Sequence, residues 1–475
     1  VTVTMVASVT LLPALLGLAG DRIETTRWRG LIAAGLVALA LLGVGLGIQP
    51  LLLGAPLAVV VLLAGFAIAP LRAEVPPRKV KPIRETIAYR WSRQIQAHPW
   101  LSVTAGTLVL VLLALPVFSL RLGFSDEGNY GEETTTRQAY DIIAEGFGPG
   151  YNGPLLVTVE PGDDAARASV EGLTAAIEAD PGVARTFVGP SDFVDPEASE
   201  AYVIQTIPTT APQDEATDEL VERLRTVVIP DAVGDADLVV NVSGGVAVSL
   251  DFTKYLAERL ILFLGVVLAL SFLLLMAVFR SLLVPVKAVI MNMLSIAAAY
   301  GIVVAIFQWG WAGSLFGVEP APIEPFIPMM LFAIVFGLSM DYEVFLLSRI
   351  KEEFDRTGDS VTSVADGLAA TARVIPAAAA IMSVVFGRFM FEDDRITRRV
   401  GLGLAVAGFL DATLVRMLLV PATMELLGDR NWWLPKWLDR IIPHINVEGS
   451  DREVREDLGE LLEDPPVDSE PPVPV

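Results

Sequence analysis

Nine apolar stretches of roughly 20 residues constrain this 475-residue chain more than any other feature. About 20 apolar residues in a helix cross the roughly 30 Å hydrocarbon core of a bilayer. Backbone polar groups in lipid must be paired internally, which favours helices for such stretches. The sequence therefore predicts a mostly α-helical, polytopic membrane protein. The predicted spans are residues 1–19, 30–48, 51–71, 100–120, 257–279, 283–307, 326–348, 374–391 and 400–426.

Charge is unevenly distributed along the chain, whose formal net charge is −22. Residues 121–256 hold 25 acidic and 7 basic side chains, and residues 446–475 hold 10 acidic and 2 basic ones. We expect both segments to lie in water. A surface that binds nucleic acid would be basic, so no nucleic-acid partner is expected. The chain has no cysteine and only two histidines, neither in a ligand cluster, so we predict no metal site and no cofactor.

Basic residues orient the predicted spans, because cytoplasmic loops carry an excess of lysine and arginine. Seven such residues lie between positions 72 and 93, which places the basic linker 72–99 in the cytoplasm. Residues 121–256 then form an extracytoplasmic domain of a protein in the cell membrane. Residues 428–475 return to the cytoplasm as an interfacial helix followed by an acidic, disordered tail.

Three arginines between the last two spans disagree with this orientation, because they lie on the predicted outer side. The basic residues of the other loops all support the orientation given above, so we keep that topology despite this one short loop. A local ion-pair cluster would explain them. It would join Arg395, Arg398 and Arg399 to Glu392, Asp393 and Asp394.

The water-facing segment 121–256 has a mixed α+β pattern. Two stretches have the apolar periodicity of helices, residues 164–177 and 215–228. Four stretches read as strands: residues 154–159, 183–188, 202–207 and 238–242. The order strand-helix-strand-strand-helix-strand predicts a ferredoxin-like domain.

Asp341 and Tyr342 lie inside the predicted span 326–348. A carboxylate at that depth costs a few kcal/mol and is retained mainly where it faces a cavity, finds a partner or carries protons. The pair therefore suggests a proton path, and a structural contact between helices is the alternative. Ser339 and Ser383 would support a water wire in the first case and bridge helices in the second.

Asp411 and Arg416 lie near the middle of the last predicted span. Five steps of about 100° place their side chains on roughly opposite faces of an α-helix. We therefore expect each of them to find a partner elsewhere, and a structural role is favoured over support of the proton path. Glu343 lies about 200° around its helix from Asp341 and is expected to bond to nearby helix ends.

A short motif occurs twice. Leu12-Pro13-Ala14 precedes Gly20-Asp21-Arg22, and Val420-Pro421-Ala422 precedes Gly428-Asp429-Arg430, with the same spacing from Pro to Gly. The repeat predicts two duplicated halves, although chance similarity of short motifs is the alternative. Residues 1–19 would then be the last span of a missing first half.

Residues 337–351 (GLSMDYEVFLLSRIK) resemble the signature of the mycobacterial membrane protein large (MMPL) family, within the resistance–nodulation–division superfamily. Three further segments, residues 137–154, 365–381 and 401–421, resemble the same family. The resemblance implies two halves of six spans, each half with a porter-like domain between its first two spans. By this resemblance, 30–71 would be a two-span insertion, 100–120 the first span of the second half, 121–256 its porter-like domain and 257–427 its five-span bundle.

The resemblance implies proton-driven export of lipids or other hydrophobic molecules. Asp341 would take up and release the proton, and Tyr342 would hydrogen-bond beside it. A matching Asp-Tyr pair would come from a first half, which makes a first-half polypeptide an expected partner. A non-transporting scaffold or a sterol-sensing-like lipid sensor is the alternative. The sequence has no Gly-x-Ser-x-Gly elbow and no histidine cluster, so an enzyme is not expected.

Overall fold

The computed structural model describes residues 2–19, 27–46, 48–75, 83–161, 164–190, 201–311, 313, 319–392 and 394–442. The chain divides into two compact units, Val1–Pro82 and Ile83–Val475. Six helical stretches of the described residues are long and apolar enough to cross a membrane. They are Pro99–Ser119, Gly245–Phe279, Leu283–Phe307, Phe326–Thr357, Val374–Phe391 and Arg395–Trp432. These six match the last six predicted spans.

The first unit consists of helices α1 (Thr2–Ala19), α2 (Trp28–Leu46), α3 (Gly54–Ala64) and α4 (Ala69–Arg72). A short 3-10 helix, Gln49–Leu53, separates α2 from α3. The three spans predicted here, 1–19, 30–48 and 51–71, correspond to shorter apolar helices and are not among the six. The expectation of about nine spans is therefore confirmed for six of them.

The second unit begins with α5 (Ile87–Ala97) and α6 (Pro99–Ala114), so the predicted linker 72–99 includes a helix. The bundle continues with α11 (Gly245–Phe279), α12 (Leu283–Phe307), α13 (Phe326–Thr357), α14 (Ser360–Thr371), α15 (Val374–Arg388), α16 (Arg395–Leu410), α17 (Val420–Leu427) and α18 (Lys436–Asp439). A nine-residue π-helix, Asp411–Leu419, joins α16 to α17. Residues 443–475, including most of the predicted tail, lie outside the described residues.

Between α6 and α11 lies a domain built on a small antiparallel sheet. Its helices are α7 (Thr135–Phe147), α8 (Asp164–Glu178), α9 (Glu215–Arg223) and α10 (Ile229–Val233). Its strands are β1 (Leu155–Pro161), β2 (Val183–Pro190), β3 (Tyr202–Pro208) and β4 (Leu238–Ser243). The strands lie in the order β2-β3-β1-β4, and every pair is antiparallel. All four predicted strands and both predicted helices are confirmed.

The sheet and its helices enclose a core of their own. Leu155, Val157 and Val159 alternate along β1 and are fully buried, as expected for one apolar face of a strand. Leu173 of α8 and Leu220 of α9 cover that face. The alternation that predicted these strands therefore also identifies the face that packs against the helices.

The junction between this domain and the bundle is tied by backbone and side-chain contacts. Leu122 pairs with Ile323 in a parallel bridge just before α13 begins. Glu324 accepts a hydrogen bond from Ser125 at 2.8 Å and forms a fully buried ion pair with Arg399. The partner predicted for Arg399 was the acidic run beside it in sequence, and that prediction is wrong. Arg399 lies one helical turn inside α16, where it faces the segment preceding α13.

Gly301 of α12 permits a close approach of two membrane helices. A Cβ atom at this position would lie 1.9 Å from the carbonyl oxygen of Leu113 in α6. Backbone cannot move aside cheaply, so the Gly301→Ala variant is expected to lose about 1–3 kcal/mol of stability. Urea unfolding in mixed micelles, followed by tryptophan fluorescence, measures this loss.

The matched control for that variant is Gly265→Ala in α11. Nothing lies within 4 Å of a Cβ built there. Alanine is the better helix former, so this variant should be as stable as the wild type or slightly more stable. Equal stability of the two variants would contradict the close packing of α6 on α12.

Candidate functional site

Asp411 and Arg416 form a buried ion pair within one helix. Arg416 Nη2 lies 2.5 Å from Asp411 Oδ2, and the two residues are only 2% and 6% exposed. The expectation that they lie on opposite faces is wrong. They belong to the π-helix Asp411–Leu419, in which backbone hydrogen bonds join residues five apart. That wider turn brings the side chains at positions 411 and 416 to the same face.

Proline follows this π-helix and shapes its C-terminal end. Pro421 has no N–H to donate to the carbonyl of Met417, four residues earlier. The indole Nε1 of Trp91, in α5, donates to that carbonyl instead at 2.8 Å. A backbone acceptor that a regular helix would satisfy internally is thus satisfied from a neighbouring helix, as is usual where a helix is interrupted.

Ser339 of α13 joins this ion pair to the neighbouring helices. Its backbone carbonyl accepts from Arg416 Nη2 at 2.5 Å. Its hydroxyl lies 2.9 Å from Asp411 Oδ1 and 2.8 Å from Asn292 Oδ1 of α12. A hydroxyl carries one proton, so Ser339 can donate to only one of these two acceptors at a time.

Tyr342 closes the cluster on the side of α15. The guanidinium of Arg416 lies over its ring, 5.2 Å from the centroid, within the range of a cation–π contact. Its hydroxyl points to the sulfur of Met382 at 3.7 Å. A small cavity of about 20 Å³ adjoins Ser339, Tyr342, Asp411 and Arg416. That volume admits a water molecule.

Asp341 lies apart from this cluster. It is exposed on the surface of the bundle, and it makes no hydrogen bond or ion pair with the residues that the structure describes. Successive helical residues diverge by about 100°, so Asp341 and Tyr342 face different surroundings. An exposed carboxylate in the apolar part of α13 is costly unless another protein surface covers it.

Ser383, the other serine predicted to support a proton path, is not part of the cluster. Its hydroxyl donates to the carbonyl of Ala405 at 3.3 Å and so bridges α15 to α16. This contact matches the alternative that was considered for it, a polar contact between helices.

Sequence reasoning missed two members of the polar interior and misplaced a third. Asn292 and Lys287 lie buried in α12, and Asn292 Nδ2 donates to Glu343 Oε2 at 3.0 Å. Glu343 was expected to bond to nearby helix ends, and this expectation is wrong, because its partner is a side chain of another span. The same rule that singled out Asp341 applies to any polar residue in an apolar span and could have found Lys287 and Asn292.

The family model of the MMPL family matches residues 133–443. Membrane protein YdfJ of Bacillus subtilis is 36% identical over 360 residues, which are 76% of this chain and 49% of YdfJ. The mycolic acid-containing lipids exporter MmpL11 of Mycolicibacterium smegmatis is 34% identical, over 76% of this chain and 38% of its own. The trehalose monomycolate exporter MmpL3 of Mycobacterium tuberculosis is 32% identical, over 78% of this chain and 40% of its own. The chain thus spans half or less of the length of these relatives.

Proposed function

This chain belongs to the MMPL family, and we propose that it acts as the second half of a transporter that exports lipids or other hydrophobic molecules, driven by the proton gradient. Two of its relatives are named as lipid exporters, which supports a lipid substrate. The observation that carries the proposal is the buried cluster of Ser339, Tyr342, Asp411 and Arg416. Ionisable groups inside a span face the bundle interior or a cavity, pair with one another and mark pathways for ions or substrates.

Protonation of Asp411 would change the forces between two membrane helices. The ionised carboxylate attracts Arg416 and accepts from Ser339, whereas the neutral acid loses the Coulombic attraction. Arg416 is also bonded to the carbonyl of Ser339, so the balance between the two contacts depends on the proton. A change in this balance can favour one of two packings of α13 against the last span.

The same two helices reach the inserted domain at their outer ends. Glu324 precedes α13 and Arg399 lies in the first turns of α16, and the two are ion-paired. Ser125, on the segment that leads into the domain, donates to Glu324. We infer that this domain is an extracytoplasmic, ferredoxin-like porter domain, a proposal supported by its strand order β2-β3-β1-β4. Motion of α13 would reach it through these contacts.

Asp341 would be the next group on the proposed proton path, and it lies on the exposed side of the helix bundle. Its exposure at membrane depth supports a covering partner, which we propose to be a first half with a matching Asp-Tyr pair. There Asp341 would exchange protons, and Tyr342, the next residue along α13, would connect that site to Arg416.

Replacing Asp341 by asparagine tests this function in a two-half transporter. Lipids labelled with radioactive acetate are extracted from the cell surface with and without a proton uncoupler. We expect Asp341→Asn and the uncoupler each to reduce export by about 100-fold, since the amide cannot carry the proton. Asp355→Asn, an exposed position farther along α13, is the control and should export normally.

The amount of folded protein in the membrane is measured for every variant in the same cells. Normal export by Asp341→Asn would show that Asp341 is a structural contact. Export that the uncoupler leaves unchanged would exclude the proton gradient as the driving force. Both results together would contradict proton-driven transport through Asp341.

A further inference from the structure

Glu343 and Lys287 are buried charged residues for which the mechanism above has no role. They are 3% and 7% exposed, and they lie on neighbouring membrane helices, α13 and α12. Lys287 Nζ lies 3.5 Å from Oδ1 of Asn431, which lies in the 3-10 helix Gly428–Trp432 at the end of the last span. Burying two charged side chains in a membrane bundle is costly, so their presence calls for a physical reason.

Asn292 connects Glu343 to the cluster around Asp411. Its Nδ2 donates to Glu343 Oε2, and its Oδ1 accepts from Ser339 when Ser339 does not donate to Asp411. An ionised Asp411 draws the Ser339 hydroxyl to itself, and a neutral Asp411 releases it to Asn292. Three contacts thus link Asp411 to Glu343 through Ser339 and Asn292.

Glu343 has an oxygen atom free to receive a proton. Its Oε1 is buried and has no hydrogen-bond partner among the described residues. Buried polar atoms are nearly always paired, so an unpaired carboxylate oxygen is uncommon. An oxygen in this state can bind a proton without first breaking a hydrogen bond.

The charges around Glu343 balance when every group is ionised. Arg416, Asp411 and Lys287 each act on it electrostatically. Two carboxylates and two cations give zero net charge, and one added proton leaves a net positive charge in the bundle. That excess charge is unfavourable in a region of low dielectric, wherever in the cluster the proton sits. The two cations thus offset part of the cost of keeping both carboxylates ionised.

The buried polar residues around Glu343 all lie toward one face of the bundle. Glu343 lies one helical turn beyond Ser339, on the side away from the inserted domain. Lys287 lies near the beginning of α12, which starts on that same face of the bundle. Asn431 lies at the end of the last span, on that face as well. The buried polar residues thus extend from the middle of the bundle to its far face, which is the cytoplasmic one in the proposed orientation.

We propose that Glu343 is a second proton-carrying carboxylate and that protons pass between Asp411 and the cytoplasmic face through it, with Arg416 and Lys287 as the cations that balance the two carboxylates. The inference rests on the proposed function. Asp411 gives up its acid proton to a water molecule, which passes a proton to Glu343 Oε1. Glu343 then releases a proton to water on the cytoplasmic side. Asn292 carries no proton and orients its neighbours.

Replacing Glu343 by glutamine tests this path in a two-half transporter. Proton-driven lipid export is expected to fall by about 100-fold in Glu343→Gln and to recover in part in Glu343→Asp. Infrared spectroscopy of the chain in bilayers should show a carboxylic acid band that titrates in the wild type and is missing in Glu343→Gln. Glu352→Gln, an exposed position on the same helix, should keep both the band and the export.

A double variant separates a proton carrier from a structural balance of charge. Lys287→Met alone removes one of the two cations that act on Glu343 and leaves an excess negative charge in the buried cluster, so we expect less folded protein. Lys287→Met combined with Glu343→Gln should restore the folded protein but not export. Restored export in the double variant, or a Glu343 carboxylate that never titrates, would overturn the inference. If the wild type exported lipid equally well with and without an uncoupler, the proposed function itself would be overturned, and this inference with it.

Discussion

Replacing Arg416 by methionine is expected to destabilise the membrane bundle by about 3–5 kcal/mol and to reduce proton-driven export by about 1000-fold. The substitution leaves Asp411 ionised and buried without its partner, which is the costly way to break a buried ion pair. It also removes the hydrogen bond to the carbonyl of Ser339. Urea unfolding in mixed micelles measures the free energy, and labelled lipid extraction measures export.

Two comparisons make this result interpretable. Arg349→Met removes an arginine of α13 that forms a surface ion pair with Glu352, in which both side chains are exposed, and it should change neither quantity appreciably. Asp411→Asn combined with Arg416→Met removes both charges, so most of the lost stability should return while export stays low. Export at the wild-type rate in that double variant would show that the pair only holds the helices together.

Replacing Arg399 by methionine is expected to cost about 3–5 kcal/mol, because Glu324 would remain buried without its counter-charge. Arg399 is fully buried, and its guanidinium lies over the ring of Phe307, 5.6 Å from the centroid. The loss should be accompanied by looser attachment of the inserted domain, since Ser125 bonds to the same carboxylate. Hydrogen exchange of residues 121–125 reports that loosening directly.

The control for this second prediction is Ser125→Ala, which removes a single hydrogen bond and should cost about 1 kcal/mol. Adding Glu324→Gln to Arg399→Met should recover much of the stability, since no buried charge then lacks a partner. If Arg399→Met were no more destabilising than Ser125→Ala, the ion pair would contribute little to the attachment of the domain.

The inserted domain was the part of the fold most accessible from sequence. Strands such as β1 alternate buried and exposed residues, and helices such as α8 repeat apolar residues every three or four positions, so each element carries its own periodic signal. Inside the membrane, apolar residues cover every face of a helix and that signal is lost. Hydropathy therefore located the six spans without indicating which faces of them meet.

The candidate site shows the same limit in detail. Polar residues such as Asp411 stand out in an apolar span, so the participants could be identified from sequence. Their pairing could not, because it depends on a π-helix that shifts the register between Asp411 and Arg416. Arg399 was misassigned for a related reason, since its partner Glu324 is 75 positions distant in the chain. The residues next to Arg399 in sequence do not indicate a partner that lies so far away along the chain.

Helix α11 extends without a break for 35 residues, which is about 52 Å at 1.5 Å per residue. The hydrocarbon core takes up about 30 Å of this length, so about 20 Å stands outside it. Its first turn, with Val246 and Ala247, belongs to the apolar core of the inserted domain. The helix therefore connects the bundle rigidly to the inserted domain. If it tilted by about 10° about its C-terminal end, its N-terminal end in the domain would move by about 9 Å. Under the proposed function, small rearrangements between membrane helices would in this way produce large displacements of the inserted domain.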